Sequence, residues 1–172
     1  MWDKWPCEPR AWPVAPRPFA VEPLGGWLGR VAARYRMSVD ELAQLYGLEL
    51  AFDRHSNAWL LLLGIGEATI NKLATRARID SADLNALQPS QLGSVPPPQR
   101  QLAYCSACVF LNPQDVTSPC WKRGMDPAET CCPIHHQSLQ RLPVTSPRLC
   151  GNFDHLLRVV SHREARRRER GW

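Results

Sequence analysis

The stretch from Tyr104 to Arg141 constrains this chain more than any other. It carries Cys105-x-x-Cys108, an interval of 23 residues, and then Cys132-x-x-His135. Each short pair can bend back so that two ligands converge, and the interval brings the pairs together into a closed tetrahedral zinc site. Three thiolates and one imidazole leave no open coordination position, so one such ion builds structure and hydrolyses nothing. A handful of buried, reduced cysteines would not explain two pairs at ligand spacing. A disulfide framework fits poorly with seven cysteines, an odd number.

The second pair has alternatives, because Cys131 adjoins Cys132 and His136 adjoins His135. Cys132 with His135 matches the tight gap of Cys105 and Cys108 and is the favoured choice. Cys131 with His135, or Cys132 with His136, is also chemically allowed. Cys120 is within reach as a substitute ligand, although its expected role is a small apolar filler beside Trp121.

Net charge is +5, from 21 basic and 16 acidic residues, which makes an acidic partner such as nucleic acid reasonable. The longest apolar run, Ala58 to Gly66, is far short of the ~20 residues a membrane-spanning helix needs. The opening MWDKWPCEPRAW has no continuous apolar core and does not read as a secretory signal. Free cysteines suit a reducing compartment. The expectation is a cytoplasmic protein with no membrane partner.

The fold expected is mainly α with a small zinc-finger module, in five segments. Residues 1–21 form an extended arm, because its prolines fix φ and remove amide donors. Trp2, Trp5 and Trp12 in that arm either pack on the chain or anchor a partner. Residues 22–88 form a helical domain of the helix-turn-helix type. Glu22-Pro23 opens its first helix, where Leu24, Trp27, Leu28, Val31 and Tyr35 make one apolar stripe and Arg30 and Arg34 fall on a solvated flank. Gly25 and Gly26 weaken the helix start and allow another backbone to come close.

Ser38 with Glu41 predicts a capping box, followed by Leu42, Leu45 and Tyr46 as an apolar face and Gly47 as the stop. Short helices are expected at 40–47, 57–63, 67–76 and 81–87, the last capped by Asp80 or Ser81. The helix 67–76 presents Ile70, Leu73 and Ala74 inward; Lys72, Arg76 and Arg78 point elsewhere and are candidates for nucleic-acid contact. Residues 89–99 are a proline-rich linker.

Residues 100–150 form the zinc module, where Leu139 and Leu142 are expected to pack over the thiolates. Residues 151–172 give a helix capped by Asn152, with Phe153, Leu156, Leu157 and Val160 as its stripe. Beyond it Arg163, Arg166, Arg167, Arg168 and Arg170 form either a solvated, fraying tail or a phosphate grip.

Two separated stretches resemble one family. Glu22-Pro-Leu-Gly-Gly-Trp-Leu-Gly-Arg-Val-Ala32 is similar to the E-S-L-S-S-W-L-x-R-x-A opening of TniQ proteins, with Pro16-Arg-Pro18 in place of their proline-rich lead-in. Tyr104-Cys-x-x-Cys108, Trp121, Cys132-Pro-Ile-His135 and Leu139 resemble that family's Y-C-x-x-C, tryptophan, C-P-x-H and leucine pattern. The resemblance covers residues 13 to 142, in the same order, and matches the short form found in transposons. Gly25 and Gly26 stand where the family favours serines, and only Cys150 remains of a second finger, so one structural zinc is expected.

The resemblance implies a bacterial, nucleoid-associated adaptor without a catalytic centre and without a small-molecule substrate. TniQ proteins take part in choosing the target site of transposition. They bind an AAA+ ATPase regulator assembled on DNA, and in CRISPR-associated transposons they link it to an RNA-guided effector complex. Partner contacts would then fall on Trp2, Trp5, Trp12, Trp27 and Arg30, since tryptophan and arginine dominate interface energetics.

Two other classes compete. A stand-alone helix-turn-helix and zinc-finger DNA-binding regulator would bind duplex tightly, with a preferred sequence and steep salt dependence. An enzyme would use a Cys–His pair such as Cys131 and His136, yet no acidic orienting partner accompanies them.

Overall fold

The structure is a computed structural model that describes residues 11–19, 22–50, 65–88, 101–110, 130–143 and 150–171. Among the described residues six helices and two short strands follow in chain order. They are α1 (Leu24–Arg34), α2 (Val39–Tyr46), α3 (Glu67–Ala77), α4 (Ser81–Ala86), β1 (Gln101–Tyr104), α5 (Ser106–Phe110), β2 (Gln140–Pro143) and α6 (Phe153–Glu169). The expected helix 57–63, the linker 89–99, Trp2, Trp5, Cys120 and Trp121 lie outside the described residues.

The apolar stripe of α1 sets the core. Leu24, Trp27, Leu28 and Val31 have no exposed surface, and fully burying an apolar side chain of this size contributes about 1.5–3 kcal/mol. Pro23 caps α1 in an extended conformation, just outside the first turn. The proline-rich arm lies across this helix. The Trp27 indole donates to the Pro16 carbonyl at 2.8 Å, and the Tyr35 hydroxyl donates to the Val14 carbonyl at 2.8 Å. At the near end of the arm, the Trp12 amide donates to the Arg76 carbonyl at 2.7 Å. An arm whose prolines cannot build a ladder is thus tied to the helices by its remaining polar groups.

Arg30 corrects the reading of α1. It was expected on a solvated flank, but it is buried at 8% exposure against a fully buried Glu22. Its Nε and Nη2 donate to the two Glu22 carboxylate oxygens at 2.7 Å each, and Nη2 also donates to the Arg17 carbonyl at 2.8 Å. The Phe19 ring lies 4.5 Å from the guanidinium centre. Arg34 stays exposed, but the Arg30 position is dry because the arm covers it, a long-range contact that helix periodicity does not contain.

The capping box at α2 forms as expected. The Glu41 amide donates to the Ser38 hydroxyl, and the Ser38 amide donates to the Glu41 carboxylate at 2.7 Å. The Ser38 amide and then the Ser38 hydroxyl, both donating to the Glu41 carboxylate, hold its carboxyl below the ordinary range. Gly47 ends the helix in the left-handed conformation, at φ 58°. Leu45, expected on the apolar face, is 63% exposed, while Val39 and Leu42 are buried. The face that packs runs through 39, 42 and 46, and Leu45 falls beside it.

α3 and α4 are joined by three residues. Arg78 closes α3 at φ 53°, and Asp80 caps α4 by accepting from the Ala82 amide at 2.8 Å. Ile70, Leu73 and Ala74 face inward as predicted.

β1 and β2 pair antiparallel, with Leu102 opposite Leu142 and Tyr104 opposite Gln140. α6 then returns to the start of the chain. The Asn152 side chain accepts from the His155 amide at 3.1 Å and donates to the Met37 carbonyl at 2.8 Å, while the Val39 amide donates to the Gly151 carbonyl at 2.7 Å. One buried cluster therefore holds Trp12, the stripe of α1, Leu42, Ile70 and Leu73 together with Leu102, Tyr104, Leu142, Phe153, Leu156 and Val160. The described parts of the arm, the helical segment, the module carrying β1 and β2, and α6 share this core.

The approach of α6 to α2 leaves no room for a methyl group at residue 151. A Cβ on Gly151 would lie 2.9 Å from the Ser38 Cβ, too close for either backbone to stay in place. Gly151→Ala is expected to lower stability by about 1–3 kcal/mol, as overpacking does, read as a lower midpoint in thermal unfolding.

Candidate metal centre

β1 delivers Cys105 directly after Tyr104, and Cys108 lies within the five-residue α5. The amides of Cys108 and Ala107, free at this helix start, turn toward the Cys105 sulfur. Cys132 to His136 form a tight knuckle in which the His136 amide donates to the Cys132 carbonyl at 2.9 Å and the Cys132 amide donates to the Gln137 carbonyl at 2.8 Å. His136 closes this turn at φ 51°, a left-handed conformation that histidine adopts more readily than most residues. The antiparallel register of β1 and β2 sets the two pairs against each other.

The side chains converge. Cys108 Sγ lies 3.7 Å from Cys132 Sγ, and His135 Nδ1 lies 3.4 Å from Cys108 Sγ. His135 Nδ1 is also 3.7 Å from the sulfurs of Cys105 and Cys132. All four ligand atoms fall within 4.8 Å of one another. A tetrahedral ion with metal–sulfur bonds of about 2.3 Å separates its sulfurs by about 3.8 Å, and sulfur from nitrogen by about 3.6 Å. The four residues therefore fit a metal ion. Of the pairings allowed by sequence, Cys132 with His135 is the one brought together; the exposed Cys131 points its sulfur back to the Cys132 carbonyl at 3.8 Å.

The protein tunes these sulfurs unequally. Burial pushes the Cys132 thiol up, but the amides of His135 and Ile134 and the His135 ring outweigh it and bring it down to about 7. Burial and the neighbouring Cys105 push Cys108 well up. Amides aimed at sulfur favour the thiolate form, which is the form that binds metal. Leu139 packs with Cys105, Cys108 and Cys132 as predicted. Leu142 instead joins the large core, because pairing with Leu102 turns it to the other side of the hairpin.

The centre is fastened to α6. The Tyr104 hydroxyl donates to Glu164 Oε1 at 2.7 Å, and Arg163 Nη2 donates to the Arg141 carbonyl at 3.2 Å. Burial, then the Glu164 carboxylate, pushes the Tyr104 hydroxyl above its ordinary value, so it stays a donor.

The other residues singled out in the sequence divide clearly. Trp12 and Trp27 are core residues at 3% and 0% exposure, and Arg30 is held in its buried pair. Lys72 Nζ donates to the Gly47 carbonyl at 3.4 Å. Arg76 stacks on the Tyr46 ring at 4.5 Å, and the Arg78 carbonyl accepts from Arg17 at 3.3 Å. Arg167 lies 3.9 Å from Glu164. Arg166, Arg168 and Arg170 are exposed. The sequence reading missed Glu22, whose eight-residue spacing from Arg30 was the available signal, and Arg158, which continues the arginine run upstream.

The described residues thus define a mainly helical protein with a Cys3His cluster, its cysteines buried and its histidine half-buried, that could hold a metal ion. No protein-family model and no curated protein sequence matches the chain. No helix among the described residues is long and apolar enough to cross a membrane.

Proposed function

We propose that this chain is a non-catalytic adaptor of the TniQ type, serving target-site selection in transposition. It binds an AAA+ ATPase regulator on DNA and links that regulator to an RNA-guided targeting complex. Its ion is zinc, held by Cys105, Cys108, Cys132 and His135 in a closed structural site within a zinc-finger module. Thiolates with imidazole in a tetrahedral set favour zinc, and the four protein ligands leave no position for a substrate.

The observation that carries this reading is the meeting of the two TniQ-like stretches. The Glu22–Ala32 stretch folds around its own Glu22–Arg30 pair, and its apolar stripe shares one buried cluster with Tyr104 and Leu142, which flank the Cys105–His135 pattern. The stand-alone regulator finds less support. The recognition helix expected for it is α3, which would enter the groove. Its cations are engaged within the chain: Lys72 donates to the Gly47 carbonyl at 3.4 Å and Arg76 stacks on the Tyr46 ring.

Co-sedimentation tests the reading, using the AAA+ ATPase of the same transposon on DNA with ATP. The salt is set high enough to remove weak, sequence-indifferent binding to bare DNA. Pelleting that requires the ATPase filament is the expected result. Pelleting with bare DNA alone, dependent on its sequence, would replace the adaptor by the regulator.

A further inference from the structure

The outer face of α6 carries a charged row that neither the core nor the metal centre uses. Arg158, His162, Arg166 and Arg170 follow one another at four-residue steps, and all four are exposed. On a helix each step advances about 6 Å and turns about 40°, so the four form one gently winding ridge. The buried face opposite is Phe153, Leu156 and Val160. Arg163 and Arg167 have partners in Arg141 and Glu164; Arg158, Arg166 and Arg170 have none among the described residues.

From Phe153 to Arg170 there are six arginines against Asp154, Glu164 and Glu169, a net +3 of the chain's +5. Complementing the helix dipole accounts for cations in the last turn only, since that effect fades within a turn, and Arg158 sits well before it. The ridge is also held still. Asn152 fixes the start of α6 to Met37, and Glu164 fixes its second half to Tyr104. Exposed large apolar side chains among the described residues are Val14, Leu45 and Ile134, none on α6. A ridge without an apolar anchor does not suit a membrane surface or a protein hot spot.

We propose that this face of α6 binds the phosphodiester backbone of a nucleic-acid helix without reading its sequence. Arginine forks pair with phosphate in two-point contacts, and a row of them along one rod follows a backbone. Base edges are not involved, so the surface adds affinity and orientation. The assignment goes beyond the adaptor reading and stands without it, because it requires no ATPase.

Fluorescence anisotropy of the zinc-loaded full chain with short labelled duplexes tests the proposal. Two DNA duplexes of unrelated sequence and one RNA duplex are titrated across a salt series. Equal affinity for both DNA sequences is expected, and the RNA arm shows which backbone geometry is preferred. The combined Arg158→Gln, Arg166→Gln, Arg170→Gln variant should lose affinity by at least about tenfold and flatten the salt slope by about three. Glu169→Gln, which removes an acid beside Arg166, should bind more tightly. The exposed Arg34→Gln, on α1 and outside the arginine ridge, serves as a control and should bind as the unmodified chain does. Unchanged affinity and slope in the triple variant, or an equal loss in Arg34→Gln, would overturn the proposal. A failed co-sedimentation with the ATPase would not affect it.

Discussion

Cys108→Ser is expected to leave less than one metal ion per chain and to open the β1–β2 hairpin to protease. The serine keeps the shape of the side chain and removes a soft anionic ligand, so the ion loses one of its four contacts. The remaining thiols would then crowd together in a buried site with nothing to bind. For structural zinc, binding free energy is folding free energy, about 10–16 kcal/mol in small finger peptides. The damage should spread beyond the hairpin. Leu102, Tyr104, Val109 and Leu142 belong to the same buried cluster as α1 and α6, so their release exposes part of the shared core. Limited proteolysis with metal analysis reads both effects. A Cys108→Ser protein that stays protease-resistant with a full ion would contradict the assignment.

Glu22→Ala should destabilise the chain by about 3–5 kcal/mol, the range seen when one partner of a buried ion pair is removed. Glu22 is fully buried, and its carboxylate takes both guanidinium donors of Arg30 at 2.7 Å. It also accepts the Phe19 amide at 3.3 Å, which holds the arm in place. With alanine, a dry arginine keeps only the Arg17 carbonyl and the Phe19 ring. In a chain of this length the thermal midpoint would fall by about 10 °C. Pairing Glu22→Leu with Arg30→Met should recover most of the loss, because no uncompensated charge remains. An unchanged midpoint for Glu22→Ala alone would mean that the pair is not buried as described.

The parts of this protein that were legible in sequence are those fixed by short-range chemistry. Two-residue gaps between ligands brought Cys105, Cys108, Cys132 and His135 out of seven cysteines and five histidines. The stripe of α1 and the Ser38–Glu41 capping box depend on contacts three or four residues apart, and both formed as read. The adjacent His136 was an ambiguity that only backbone conformation resolved, since its place is the left-handed turn position.

What periodicity could not supply were the contacts between distant segments. Arg30 falls off the apolar stripe of α1, yet the arm covers it, so a polar position became a buried one. The anchoring of α6 rests on Asn152 with Met37, 115 residues apart, and on Tyr104 with Glu164, 60 residues apart. No local pattern marks either pair. The arginine run was open to reading as a fraying tail for the same reason, although α6 continues as a helix through Glu169. Packing on the chain is the default reading for Trp12, and Trp27 falls both on the apolar stripe of α1 and among the expected partner contacts; burial makes both of them core.

The measurement that tests the central claim most directly is cobalt substitution of the metal-stripped chain, followed by visible absorption and titration with zinc. One ion per chain, with the intense bands of a tetrahedral thiolate-rich site that zinc abolishes and that Cys131→Ser leaves intact, is the predicted result. Weak bands of an octahedral ion, or a spectrum that changes in Cys131→Ser and not in Cys132→Ser, would contradict the closed Cys105–Cys108–Cys132–His135 centre.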